Sequence, residues 1–127
     1  MSSIASLFAS GLFNIQAATP VGGFALQNGT PTILTWNVPN DGKLHVAFVV
    51  MLKHVTAAET GGAITLSYNT PDGTPNSHTP FAGGGLINTL DEEQDFPLVQ
   101  AGAVLTLAQS SALTVGASKL WAQIWGF

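Results

Sequence analysis

The chain has 127 residues, of which 8% are charged and 46% hydrophobic, with a formal net charge of −4. The surface of a solitary soluble domain is about 25–35% charged, so this chain lacks the side chains to build one, and much of its folded exterior is expected to meet other protein. Three lysines (Lys43, Lys53, Lys119), no arginine and no cysteine argue against nucleic-acid binding, electrostatic docking on anionic lipid, disulfide frameworks and thiolate metal sites.

The N-terminal stretch MSSIASLFASGLFNIQAA has no basic n-region, and Ser and Gly interrupt its apolar residues. It is a poor signal peptide, so synthesis and folding in a host cytoplasm are expected, and the Asn28-Gly29-Thr30 sequon then carries no glycan meaning. Ile4, Leu7, Phe8 and Leu12 are spaced i, i+3, i+4, i+8, as on one face of a short helix, although Gly11 and four serines weaken that pattern. Residues 1–15 are read as an arm and 16–127 as a single folded domain. The arm covers a neighbour or its own domain. It has no basic residue with which to hold lipid headgroups.

From residue 13 onward the chain reads as all-β, with short runs rich in Val, Ile, Leu, Thr and aromatics set off by Gly and Pro. Strands are expected over 13–18, 24–27, 32–38, 43–55, 62–69, 79–89, 97–100, 103–109, 112–115 and 119–126. This number of short strands points to a β-sandwich or jelly roll of two antiparallel sheets. Leu34, Trp36 and Val38 share one face of their strand, and Ile64, Leu66 and Tyr68 share one face of theirs.

Two strands are apolar on both faces. In KLHVAFVVMLKHV one face holds Leu44, Val46, Phe48, Val50 and Leu52, and the other His45, Ala47, Val49, Met51 and Lys53. In KLWAQIWGF one face holds Leu120, Ala122 and Ile124, and the other Trp121, Gln123, Trp125 and Phe127. A sheet apolar on both faces must be covered on both. Aromatic residues are enriched in interface cores, so Ala47, Val49, Met51, Trp121, Trp125 and Phe127 are expected at a contact between subunits, unless the arm covers them within one chain.

Pro39-Asn40-Asp41-Gly42 and Asn69-Thr70-Pro71-Asp72-Gly73-Thr74 carry tight-turn chemistry, Asp-Gly standing where a hairpin needs positive φ. His45 and His54 lie on opposite faces of one strand and cannot share a metal, and His78 sits in a polar loop where solvation is the expected state. The run Asp91, Glu92, Glu93, Asp95 does not match a calcium loop and is expected to be a solvated loop or to face a lysine of a partner. Asp41, Glu59 and Asp72, the other acids, are expected in turns or loops. No nucleophile elbow, phosphate loop or dinucleotide fingerprint is present, so no catalytic, cofactor or metal residue is assigned.

The order ILTWNVPNDGKLHVAFVVMLKHVT, ITLSYNTPDGT, FPLVQAGAVLTLAQ and a closing KLWAQIWGF resembles, over residues 32–127, the small jelly-roll proteins of tailed bacteriophages, whose architecture is related to the tumour-necrosis-factor and C1q-like trimers. The resemblance implies a non-enzymatic virion protein. Its expected form is a homotrimer that decorates the outside of the head, binding itself and the major capsid protein, with Ile4, Leu7, Phe8, Leu12 and Phe13 of the arm reaching the shell or a neighbouring subunit. This chain departs from the family pattern in its few charges and its longer apolar arm. Two other readings stay open. One is a carbohydrate- or receptor-binding module of a tail or head fibre, using Tyr68, Asn69, Asp72, Asn76 and His78. The other is a self-assembling shell protein with several contact surfaces.

Overall fold

The computed structural model describes residues 16–17 and 20–127. The helical spacing over 4–12 and the arm contacts assigned to Ile4, Leu7, Phe8, Leu12 and Phe13 lie outside them. The described chain is all-β: β1 (Gln16–Ala17), β2 (Val21–Ala25), β3 (Thr32–Asn37), β4 (His45–Gly61), β5 (Ile64–Asn69), β6 (Pro75–Phe81), β7 (Leu90–Asp95), β8 (Leu98–Val99), β9 (Val104–Gln109) and β10 (Leu113–Gly126).

These segments form two antiparallel sheets. The larger runs β1–β10–β4–β7, with β2 also on β10 and β8 also on β4; the smaller runs β3–β9–β5–β6. Because β1 and β2 share one edge of β10, and β7 and β8 one edge of β4, the segments reduce to eight strands in the connectivity of a jelly roll. The chain changes sheets at every connection except those joining β1 to β2, β5 to β6 and β7 to β8.

Period-two alternation decides what lies between the sheets. From the larger sheet come Ala47, Val49, Met51, Leu120, Ala122 and Ile124; from the smaller come Leu34, Trp36, Ile64, Leu66, Leu105 and Leu107, all within one buried cluster. The hairpin joining β5 to β6 turns at Gly73, whose φ of 87° is the left-handed value the Asp-Gly pair predicts.

Several sequence expectations need correction. The stretch 79–89 is not one strand: β6 ends at Phe81, and the three glycines that follow carry the chain across to the other sheet. The acidic run is not a loop but β7, hydrogen-bonded along β4 with Asp91 opposite Lys53 and Glu93 opposite Met51. Here the ladder to β4 overrides the poor strand propensity of Asp and Glu. As an outer strand with a charged surface, β7 also blunts its sheet edge against further pairing. Runs 112–115 and 119–126 join into β10, which accommodates Gly116 through bulges opposite β4. His78 lies on β6 rather than in a loop, and Glu59 is buried on β4 rather than in a turn.

Candidate interaction surface

The outer face of the larger sheet is the candidate site. Directly opposed residues of antiparallel strands point to the same side, so the register builds it in rows. Trp121 lies beside Leu52 and Leu52 beside Glu92; Gln123 lies beside Val50 and Val50 beside Gln94. Trp125 lies beside Phe48, meeting its ring edge-on at 5.8 Å, and Phe96 stacks flat on Phe48 at 4.5 Å between centroids. Charge gathers towards one end, where Lys119 faces His54 and Glu92 closes the Trp121 row.

The centre of this face is therefore aromatic and aliphatic, and it is incompletely covered. Trp121 is 38% exposed, Phe96 55% and Leu98 49%, while Val46, Phe48, Val50, Leu52, Trp125 and Phe127 are half-buried. Beside the Trp121 indole a cleft of about 250 Å³ is lined by Pro20, Gly22, Val50, Leu52 and Gln123. A contiguous apolar patch of this kind marks an interaction site, and covering one large side chain fully is worth about 1.5–3 kcal/mol.

Of the residues expected at a subunit contact, Trp121, Trp125 and Phe127 belong to the strand face that looks outward. Ala47, Val49 and Met51 do not lie there. They are 0%, 0% and 1% exposed, packed between the sheets of their own chain. The strand is apolar on both faces, as expected, but the faces were paired the wrong way round: Trp121 shares its side with Leu52, and Trp125 with Phe48. The polar residues His45 and Lys53 gave Ala47, Val49 and Met51 the look of an outward face, yet both are buried with partners. The ring nitrogens of His45 reach the Phe127 carbonyl oxygen at 2.8 Å and Asp41 Oδ1 at 2.7 Å. Lys53 pairs with Glu59, its ammonium 5.9 Å from the centre of the Phe81 ring. Sequence reasoning assigns neither Phe96 nor Leu98 to a contact: Leu98 falls on the expected strand 97–100 without a face, and Phe96 between that strand and the acidic run.

The residues considered for carbohydrate recognition divide. Tyr68, Asn69 and Asn76 line a common cleft on the smaller sheet. Asp72 is committed to its own turn, accepting from the Thr70 hydroxyl and, at 3.1 Å, from the Thr74 amide, and these bonds hold its carboxyl below the usual range. His78 faces Asp95 at 3.6 Å. Burial pushes the Asp95 carboxyl up, an effect that the charge of His78 opposes and that of Glu93 reinforces. Asp41 is held below its usual range, first by the hydrogen bond with His45 and then by the Lys43 amide. Among the described residues no group of three or more His, Asp or Glu side chains is placed to hold a metal ion.

A two-sheet jelly roll with one unclosed apolar face defines the class of protein. No family model matches the chain, and no curated protein matches it by sequence. Solved structures match it by fold. The infectious bursal disease virus particle of T13 geometry aligns with a TM-score of 0.60 at 10% identity, covering 89% of this chain and 30% of that one. The VP2 subviral particle of the same virus aligns with a TM-score of 0.57 at 10% identity, covering 88% and 32%. The chain thus spans about a third of the length of these virus-particle proteins, and the likeness is one of fold.

Proposed function

We propose that this chain is a non-enzymatic structural protein of a virus particle, a homotrimer that decorates the outside of a tailed-bacteriophage head. The observation that carries the reading is the outer face of the larger sheet, where Phe48, Val50, Leu52, Phe96, Trp121 and Trp125 form an apolar surface in a chain with few charges. The fold shared with virus-particle proteins supports a place in a virion. The strand motifs that resemble phage jelly rolls support the trimer and the outer surface of the head.

In this reading the apolar face contacts another copy, and residues 1–15 reach the shell or a neighbouring subunit. Fifteen extended residues span at most about 50 Å. Ordering them costs about 1–2 kcal/mol per residue, so most of Ile4, Leu7, Phe8, Leu12 and Phe13 must be covered for the contact to hold. The major capsid protein is the partner, and contact through apolar side chains makes attachment insensitive to salt.

The test is light scattering on the purified protein, followed by mixing with undecorated heads. A trimer at micromolar concentration that binds heads, keeps binding in molar salt and loses affinity on deletion of residues 2–12 supports the proposal. A stable monomer, full binding by the truncated protein, or collapse of binding in molar salt overturns it.

A further inference from the structure

The two sheets present opposite chemistries outward. On the smaller sheet the register sets Thr35 beside Thr106, Thr106 beside Ser67 and Ser67 beside Ser77, a row of four hydroxyls crossing all four strands. The neighbouring positions on that face are Asn37, Val104, Asn69 and Pro75 on one side and Thr32, Ala108, Thr65 and Thr79 on the other, none of them charged. Thr65 is engaged by Thr79 at 3.0 Å and by Ser110 at 2.7 Å. Among the described residues the hydroxyls of Ser67, Ser77 and Thr106 have no such partner.

Those three hydroxyls line one open cleft of about 440 Å³, together with Tyr68, Asn69 and Asn76. Asn76, opposite Tyr68, is turned to the other side of the sheet, where its Nδ2 donates to the Tyr68 hydroxyl at 3.1 Å and its Oδ1 accepts from the Ser77 amide at 2.9 Å. Asn69, also on the lining, donates from its Nδ2 to Gln100 Oε1 at 3.2 Å. Pro75 and Val104 complete the lining with apolar surface.

We propose that this cleft binds a neutral oligosaccharide. A hydroxyl both donates and accepts, and a carboxamide does one at each end, so the lining matches a ligand that offers donors and acceptors around a ring. Pro75 and Val104 give the C–H faces of such a ring an apolar surface. No Lys, Arg or His lines the cleft, so an anionic sugar finds no counter-charge there. A purely apolar ligand would strip water from unpartnered hydroxyls without replacing its hydrogen bonds. Sites for small ligands combine apolar surface with a few convergent polar groups in this way. The inference goes beyond the virion role and does not depend on it.

The test titrates the isotope-labelled full-length chain with neutral hexasaccharides of glucose, galactose, mannose and N-acetylglucosamine, and with hexagalacturonate as the acidic counterpart, following backbone amide resonances. The proposal expects at least one neutral probe to move the amides of Ser67, Tyr68, Asn69, Asn76, Ser77 and Thr106 at millimolar concentration. The double variant Ser77→Ala, Thr106→Val should then bind at least about ten-fold more weakly, about 1.4 kcal/mol, with an unchanged thermal midpoint. Because Tyr68 also packs against the core, the double variant rather than Tyr68→Ala carries the comparison. Absence of shifts with every neutral probe, shifts confined to other surfaces, stronger binding of hexagalacturonate, or unchanged affinity of the double variant would each overturn it.

Discussion

Gly126 and Trp36 occupy one space: the indole of Trp36 fills the volume that a Cβ on residue 126 would take. Trp36 comes from β3 and is 4% exposed, and Gly126 ends β10 in the opposite sheet. The glycine thus lets the two sheets close at this end of the sandwich. The variant Gly126→Ala must push the indole aside, and overpacking of this kind costs about 1–3 kcal/mol. Urea denaturation should show a lower midpoint at an unchanged slope.

The Lys53–Glu59 pair is buried inside the sandwich, with Glu59 Oε2 lacking a hydrogen-bond partner. Removing one charge strands the other, so Lys53→Met should destabilise by about 3–5 kcal/mol, whereas Lys53→Met with Glu59→Leu should come out near neutral or up to about 4 kcal/mol more stable. A double-mutant cycle by chemical denaturation measures this. A loss in the double variant equal to the sum of the losses in Lys53→Met and Glu59→Leu would show that the pair has no such coupling.

Asp95 gives a pH dependence of unusual sign for a carboxylate. Burial raises its folded pKa above the ordinary value of 3.8, so over the interval between the two values the folded state holds a proton that the unfolded state has lost. Stability from this group is fully present below 3.8 and declines as pH rises through the raised value. Replacing Asp95 by Asn should remove that decline and raise the neutral-pH melting temperature relative to wild type.

Asp41 and Asp72 act in the opposite sense. Both are held below 3.8 in the folded state, so what they contribute is present above that value and is lost as pH falls through their depressed values. Amide resonances of Lys43 and Thr74, whose N–H groups donate to these carboxylates, should report that acid titration, and Asp41→Asn and Asp72→Asn should each abolish it at its own site.

The outward and inward faces of the larger sheet should separate cleanly in mutagenesis. Met51→Ala empties core volume and should cost about 2–5 kcal/mol of stability. Trp121→Ser with Phe96→Ser, on the exposed face, should leave the melting temperature nearly unchanged while weakening self-association by about 2 kcal/mol or more if these residues anchor the contact. Sedimentation velocity on the folded variants distinguishes the two effects.

The sandwich was legible because its strands alternate. Leu34-Trp36-Val38 and Ile64-Leu66 pointed inward as their period requires, and the Asp72-Gly73 turn fell where its chemistry placed it. Where both faces of a strand are apolar, period two no longer says which is inside. At β4 the decision rested on His45 and Lys53, whose polarity is satisfied internally by Asp41, Phe127 and Glu59, contacts that no local pattern encodes. The β7 ladder was equally hidden, because Asp and Glu are poor strand formers and only pairing with β4 makes them one. The hydroxyl row became visible only through register, since Thr35, Ser67, Ser77 and Thr106 are scattered over the sequence.

The contrast between the two outer faces gives the molecule a direction. The sheets of a sandwich lie about 10 Å apart, so this domain is a thin slab, greasy on one side and sugar-like on the other. Whatever seats the tryptophan side turns the threonine and serine side towards open water. In any assembly closed through the tryptophan side, every copy would show water the same uncharged, hydroxyl-lined cleft.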